Sequence, residues 1–247
     1  MSENKTTVSE HLVELRSRLL KSIIFLIVTF IACYFFSEKI YNFLVDPYAQ
    51  AVKDDGNNRR LIFTALHETF LTYLKLAFFS AFFFSCPLIL MQIWKFIAPG
   101  LYKDEKLALL PFLIATPILF LLGGMLVYYL IMPLAIKFFL SFETVSTNGS
   151  LPIQLEAKVN EYLSLVMRLI LAFGISFQLP VFLTLLAKVG FITAEYLKTR
   201  RKYVVIIIFS MAALLTPPDP ITQIGLALPL LLLYEISIYT VKLVEKK

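Results

Sequence analysis

The 247-residue chain has few of the residues that most often carry chemistry: two cysteines, two histidines and one tryptophan, with only 16% of positions charged. Cys33 and Cys86 both lie inside apolar runs rather than in loops, and they read as packing residues, not as a disulfide framework. His11 and His67 sit just outside such runs, far apart in sequence, which leaves no cluster with metal-ligand spacing. The scarcity of charge decides most. A chain with 59% hydrophobic residues and a mean hydropathy of +0.79 cannot hide its apolar surface in a soluble fold of 28.3 kDa. Disordered, fibrous and disulfide-scaffold classes are excluded, and a polytopic membrane protein is expected. Residues 1–10 are polar and lack the apolar core and small-residue cleavage site of a signal peptide, so the first helix is expected to stay on the mature protein.

Long uncharged runs are what the sequence does have. Crossing a bilayer core of about 30 Å takes roughly 20 apolar residues in a helix. Four runs satisfy this: 19–36, 76–94, 107–136 and 169–187. Two shorter ones follow, 203–216 and 221–234, separated by Pro217-Pro218-Asp219-Pro220. Three prolines and an aspartate would break a single helix at mid-membrane, so the pair reads as a tight hairpin of two short helices, each reaching about 21 Å. Local bilayer thinning, or snorkelling by Lys202 and Lys242, would accommodate them. Pro111, Pro117 and Pro133 predict a bent third helix. The expectation is an all-α, single integral membrane domain over residues 1–247 with six transmembrane helices.

Orientation follows from the cations. Lys5, Arg16, Arg18, Lys21, Lys95, Lys103, Lys106, Lys188, Lys198, Arg200, Arg201, Lys202, Lys242, Lys246 and Lys247 all fall on one side. Only Lys39, Lys53, Arg59, Arg60, Lys137 and Lys158 fall on the other, which places both termini in the cytoplasm. The net charge of +6 is thereby a topology signal, spread over several loops, and does not point to nucleic acid. The segments 46–66 and 141–160 are longer, richer in Asn, Thr, Gly and Pro, and are expected to carry short cap structures.

Intramembrane enzymes need reactive groups inside the membrane. Gly174-Ile175-Ser176 offers a serine but no histidine lies in any predicted span. His67-Glu68 begins a zinc-protease motif that fails at Leu71, where a second histidine is required. No span carries an aspartate pair. A secondary transporter would need several polar groups near the midplane and matching broken helices in two halves; essentially one such group, Gln178, is present. Gln178 admits two readings, a helix-to-helix hydrogen bond within the subunit or a contact with another membrane subunit. Arg168 and Glu235 lie near span ends, within reach of the interface.

Before the first span, His11-Leu12-Val13-Glu14-Leu15-Arg16-Ser17-Arg18-Leu19 places Leu12, Leu15 and Leu19 on one helical face and charges on the other, as an interfacial helix would. Glu14 and Arg18 form an i,i+4 pair worth about 0.3 kcal/mol by itself. This stretch resembles the opening of the TatC family, the polytopic subunit of the twin-arginine protein translocase. Pro87, then Gln92-Ile93-Trp94-Lys95-Phe96-Ile97-Ala98-Pro99-Gly100-Leu101-Tyr102 and Glu105 resemble that family's most distinctive stretch. Phe173-Gly174, Phe177-Gln178-Leu179-Pro180 and Leu215-Thr216-Pro217-Pro218-Asp219 resemble two more.

The resemblance implies a receptor for the twin-arginine signal peptides of folded cargo, acting at the cytoplasmic face of the inner membrane. It implies an oligomeric complex with small single-span subunits of the TatA/TatB type, export driven by the proton-motive force, no catalysis and no cofactor. Carried over residue by residue, Glu14 and Glu105 are the carboxylates that would hold the two arginines, with His11, Leu12, Arg16, Phe96, Lys103 and Asp104 shaping the site. Gln178 would belong to the partner-subunit contact, and Pro47 and Asp219 would be structural. The family commonly has a carboxylate where this chain has Gln178, so a proton-carrying role at that position is untenable here.

Overall fold

A computed structural model describes residues 8–53, 60–97, 106–144, 151, 153–216 and 219–245. Among them nine α-helices follow one another: α1 (Val8–Phe35), α2 (Ser37–Val52), α3 (Glu68–Ile97), α4 (Lys106–Leu126), α5 (Met132–Leu140), α6 (Val159–Ser176), α7 (Leu179–Lys188), α8 (Ala194–Leu215) and α9 (Pro220–Glu245). The described chain is all-helical apart from two isolated bridges, Ile62 with Lys158 and Thr144 with Ile153. Five stretches are long and apolar enough to cross a membrane: Leu12–Phe35, Glu68–Ile93, Pro111–Leu140, Val159–Lys188 and Pro220–Glu245. Their apolar side chains face outwards as well as inwards; on α1, Ile24, Val28 and Phe35 are 60%, 60% and 80% exposed. Such a surface needs hydrocarbon, not water, around it.

The helices run past the apolar segments that announce them. α8 has 22 residues and α9 has 26, so the expectation of two short helices does not hold, although the hairpin does. Backbone hydrogen bonding does not stop at a charged side chain, and Lys, Arg and Glu are good helix formers. Lys198, Arg200, Arg201 and Lys202 fill the first half of α8, which confines its apolar part to the later half. The two helices are antiparallel. Glu245 Oε1 accepts the Ala194 N–H at 2.8 Å, the Tyr234 hydroxyl donates to the Leu197 carbonyl at 2.8 Å, and Arg201 pairs with Glu235 at 2.6 Å. Pro217 and Pro218 in the turn lie outside the described residues.

The fourth membrane segment begins at Val159, ten residues before its hydropathy run, and is broken into α6 and α7 at Phe177 and Gln178. Pro180, in the first turn of α7, has no N–H to continue the ladder. The third segment is interrupted as its prolines suggest, but at one place: a π turn at Val127–Ile131 immediately before Pro133, where the Met132 N–H reaches back five residues to the Val127 carbonyl. The expected cap between the first two spans is α2, which starts at Ser37, earlier than the polar segment 46–66 suggests.

α6 is the centre of the core. Leu163, Val166, Leu169 and Phe173 are fully enclosed and meet Leu76 of α3, Phe120 of α4, Val127, Met132 of α5 and Leu226 of α9 in one cluster or beside it. Glycine lets α4 and α6 touch. A Cβ at Gly123 would stand 2.7 Å from the Phe173 carbonyl oxygen, and one at Gly174 would stand 2.8 Å from the Phe120 ring.

Candidate functional site

α1 and α3 lie antiparallel, and two contacts fix their register. The rings of Phe30 and Phe78 are 6.4 Å apart, and Arg18 Nη1 donates to Gln92 Oε1 at 3.1 Å. Moving twelve residues down α1 thus corresponds to moving fourteen up α3. One helical turn beyond the second contact, Glu14 on α1 and Phe96 on α3 come level at the same end of the bundle. That end also carries Leu12, 59% exposed, and Arg16, likewise exposed. Phe96 is half-buried. Glu105, Lys103 and Asp104 lie outside the described residues, as does the side chain of His11.

Glu14 already binds a guanidinium. Arg18 Nε and Nη2 both donate to Glu14 Oε1, at 3.0 and 2.5 Å, while the third donor, Nη1, reaches Gln92. The side chains are 35% and 23% exposed, so the group is open to solvent on one side and packed on the other. Two donors of one guanidinium converging on a single carboxylate oxygen make a charge-assisted arrangement. The i,i+4 pairing of Glu14 with Arg18 is readable from spacing; the participation of Gln92 is not, because it lies 74 residues away. Its signal was a polar residue in an otherwise uncharged span.

Gln178 stands at the break between α6 and α7. It is buried, at 5% exposure, and its Nε2 donates to the Thr116 carbonyl of α4 at 2.8 Å. Its Oε1 has no hydrogen-bond partner among the described residues. The hydrogen bond within the subunit that Gln178 was expected to make is therefore present, to the Thr116 carbonyl of α4.

Pro47 and Asp219 each close a backbone account. Pro47 is buried inside α2 and cannot donate to the Phe43 carbonyl four residues earlier. The Tyr128 hydroxyl donates to that carbonyl instead, and the Tyr162 hydroxyl donates to the next one, Leu44, at 3.1 Å. Asp219, 3% exposed, caps α9: its carboxylate accepts the Thr222 N–H at 2.7 Å and the Thr222 hydroxyl at 2.6 Å, with Pro220 in the first helical position. Arg201 and Glu235 form an exposed pair and Arg168 is exposed, but the expectation that Arg168 and Glu235 stand near span ends does not hold: the helices run past the hydropathy segments, so Arg168 lies inside Val159–Lys188 and Glu235 inside Pro220–Glu245.

The fold defines a polytopic helical membrane protein, with Glu14, Arg18 and Gln92 joined at one end of its bundle. A family model described as Sec-independent protein translocase protein (TatC) matches residues 10–229. The TatC of Magnetococcus marinus is 49% identical over 245 residues, 99% of this chain and 87% of that one. The Rickettsia prowazekii TatC is 45% identical over 236 residues, 96% and 92% of the two chains. A crystal structure of the twin-arginine translocase receptor TatC superposes with a TM-score of 0.79 at 37% identity, covering 96% of this chain and all of that one. The chain belongs to the TatC family. It is accordingly a membrane subunit of a protein translocase, a transport component and not a catalytic enzyme.

Proposed function

We propose that this chain is the receptor and core subunit of the twin-arginine translocase. It spans the inner membrane six times, α8 being the additional crossing, with both termini in the cytoplasm. At the cytoplasmic end of α1 and α3 it binds the twin-arginine signal peptides of folded cargo. Glu14 and Glu105 hold the arginines, and His11, Leu12, Arg16, Phe96, Lys103 and Asp104 shape the surroundings. The observation that carries this reading is the arginine already seated on Glu14: a carboxylate holding two donors of one guanidinium is matched to arginine more than to lysine.

Assembly with small single-span TatA/TatB-type subunits follows binding, and the proton-motive force drives export. The site for such a helix is assigned to the break in the fourth membrane segment at Gln178, where the amide itself is buried against Thr116 and the neighbouring apolar side chains are exposed. A docking helix would pack over Ile175 and Phe182, exposed beside it at 52% and 49%. Complementation tests the reading. In cells lacking their own subunit, this chain should restore export of a folded reporter carrying an Arg-Arg signal and should not restore export of the Lys-Lys version. Export of neither, with the chain inserted and intact, would contradict it.

A further inference from the structure

We propose that the basic end of α8 holds an anionic phospholipid, with the phosphate on Arg200 and Lys202 and one acyl chain in the groove that α8 forms with α7. The inference is independent of the Glu14 reading; only the leaflet, the cytoplasmic one, is taken from the proposed topology. Two adjoining cavities carry it. A polar one of about 420 Å³ is lined by Glu195, Arg200 and Lys202. An apolar one of about 340 Å³ is lined by Leu179 and Leu183 of α7 and by Val204 and Ile207 of α8. Tyr196, Arg200 and Tyr203 line both, so the cations and the groove are neighbours. Tyr196, Arg200, Tyr203 and Ile207 recur every three or four residues, which makes them one face of α8 that begins basic and ends apolar.

Arg200 is held in place without being neutralised. Its guanidinium lies over the rings of Tyr196 and Tyr203, 5.3 and 5.7 Å from their centroids, and among the described residues it makes no ion pair. Arg201, beside it in sequence, is by contrast taken by Glu235. Ring faces attract and orient the cation, and its planar N–H fork stays free for an acceptor with several oxygens, as a phosphate has. Lys202, with Nζ 5.3 Å from the Tyr203 centroid, adds a second positive charge. Glu195 sets one carboxylate against these two cations, so the pocket is net positive. A headgroup with one negative charge and hydroxyl groups to meet Glu195, as in phosphatidylglycerol, matches it. The groove decides between a lipid and a soluble phosphate. Ile207 stands about 10 Å along α8 from Arg200, towards its apolar half, which is the direction an acyl chain takes below its phosphate. Bilayer hydrocarbon is as apolar as the groove, so the chain supplies position and the headgroup supplies preference.

The test is lipid binding to the full chain in detergent, read by native mass spectrometry with phosphatidylglycerol and phosphatidylcholine of identical acyl chains. The unmodified chain should bind phosphatidylglycerol more tightly. In Arg200→Gln the ratio of phosphatidylcholine to phosphatidylglycerol dissociation constants should fall about fivefold, the contribution of one basic residue beside an anionic headgroup. Lys198→Gln removes the same charge from the opposite side of α8, outside both cavities, and should leave the ratio unchanged. Ile207→Trp fills the groove at a position that is already exposed, and should weaken both lipids alike. An unchanged ratio in Arg200→Gln would overturn the proposal. Equal falls in Arg200→Gln and Lys198→Gln would reduce the preference to diffuse surface charge and would also overturn it. Undiminished binding of both lipids in Ile207→Trp would take the acyl chain out of the groove, with the same consequence.

Discussion

The Tyr128 hydroxyl donates to the Phe43 carbonyl oxygen at 2.8 Å, and the two rings lie stacked with centroids 4.4 Å apart and planes 2° from parallel. The carbonyl is the one that Pro47 leaves without its helical donor, so a side chain from the third membrane segment completes the backbone of α2. Tyr128→Phe should lower stability by about 1–3 kcal/mol, the cost of leaving such a group unsatisfied, and the melting temperature in detergent should show it. In a Pro47→Ala background a backbone N–H returns to Phe43. The same Tyr128→Phe change should then cost clearly less; an equal cost in both backgrounds would contradict the pairing.

The glycine contact between α4 and α6 gives a second prediction. Gly123→Ala forces a methyl against the Phe173 carbonyl, which is backbone and cannot turn aside, so the helices must separate. Overpacking of this kind costs about 1–3 kcal/mol. Gly174→Ala meets only the Phe120 ring. A ring in a closed core gives little, so a cost of similar sign and somewhat smaller size is expected in the same melting assay.

Loss of the α9 cap should be felt at the α8–α9 turn. Asp219→Ala removes both contacts to Thr222 and should destabilise by about 1 kcal/mol, while Asp219→Asn, which keeps one acceptor, should cost less. Limited proteolysis at the turn would rise in the alanine variant first. Glu235→Ala, by contrast, breaks an exposed pair with Arg201 and should change the melting temperature little.

These predictions draw on parts of the molecule that differ in how legible they were. Hydropathy locates the spans because burial in lipid demands apolar length, yet it misplaces their ends: α6 starts among Asn160 and Glu161, and α8 among lysines and arginines, because helical hydrogen bonding tolerates polar side chains at the interface. α2 was legible only as a polar connection. Its amphipathic mixture, with Pro47 inside, resembles a loop until Tyr128 and Tyr162 are seen to hold its carbonyls. The spacing of Glu14 and Arg18 predicts their pairing, while the place of Glu14 in a site comes only from the resemblance of the stretch 11–19 to the TatC family. The part of Gln92 was not legible, since the register of α1 against α3 is a property of packing between segments far apart in sequence.

Gln178→Leu separates the two halves of the Gln178 expectation. The substitution removes one buried hydrogen bond to Thr116 and also one unpaired buried oxygen, so stability should change by no more than about 1 kcal/mol. Signal-peptide binding should be unaffected, while crosslinking to single-span partner subunits should fall several-fold. Unchanged crosslinking would confine Gln178 to packing within the subunit.

The receptor claim is tested most directly by equilibrium binding of the purified full chain to a labelled twin-arginine signal peptide, with Glu14→Gln as the decisive variant. That change keeps the size of the side chain, removes its charge and turns one of its two acceptor oxygens into an N–H donor. The account predicts selective binding of the Arg-Arg peptide by the unmodified chain and a loss of about tenfold or more in the variant, the equivalent of one charge-assisted contact. Equal binding of Arg-Arg and Lys-Lys peptides, unaltered by Glu14→Gln, would contradict it.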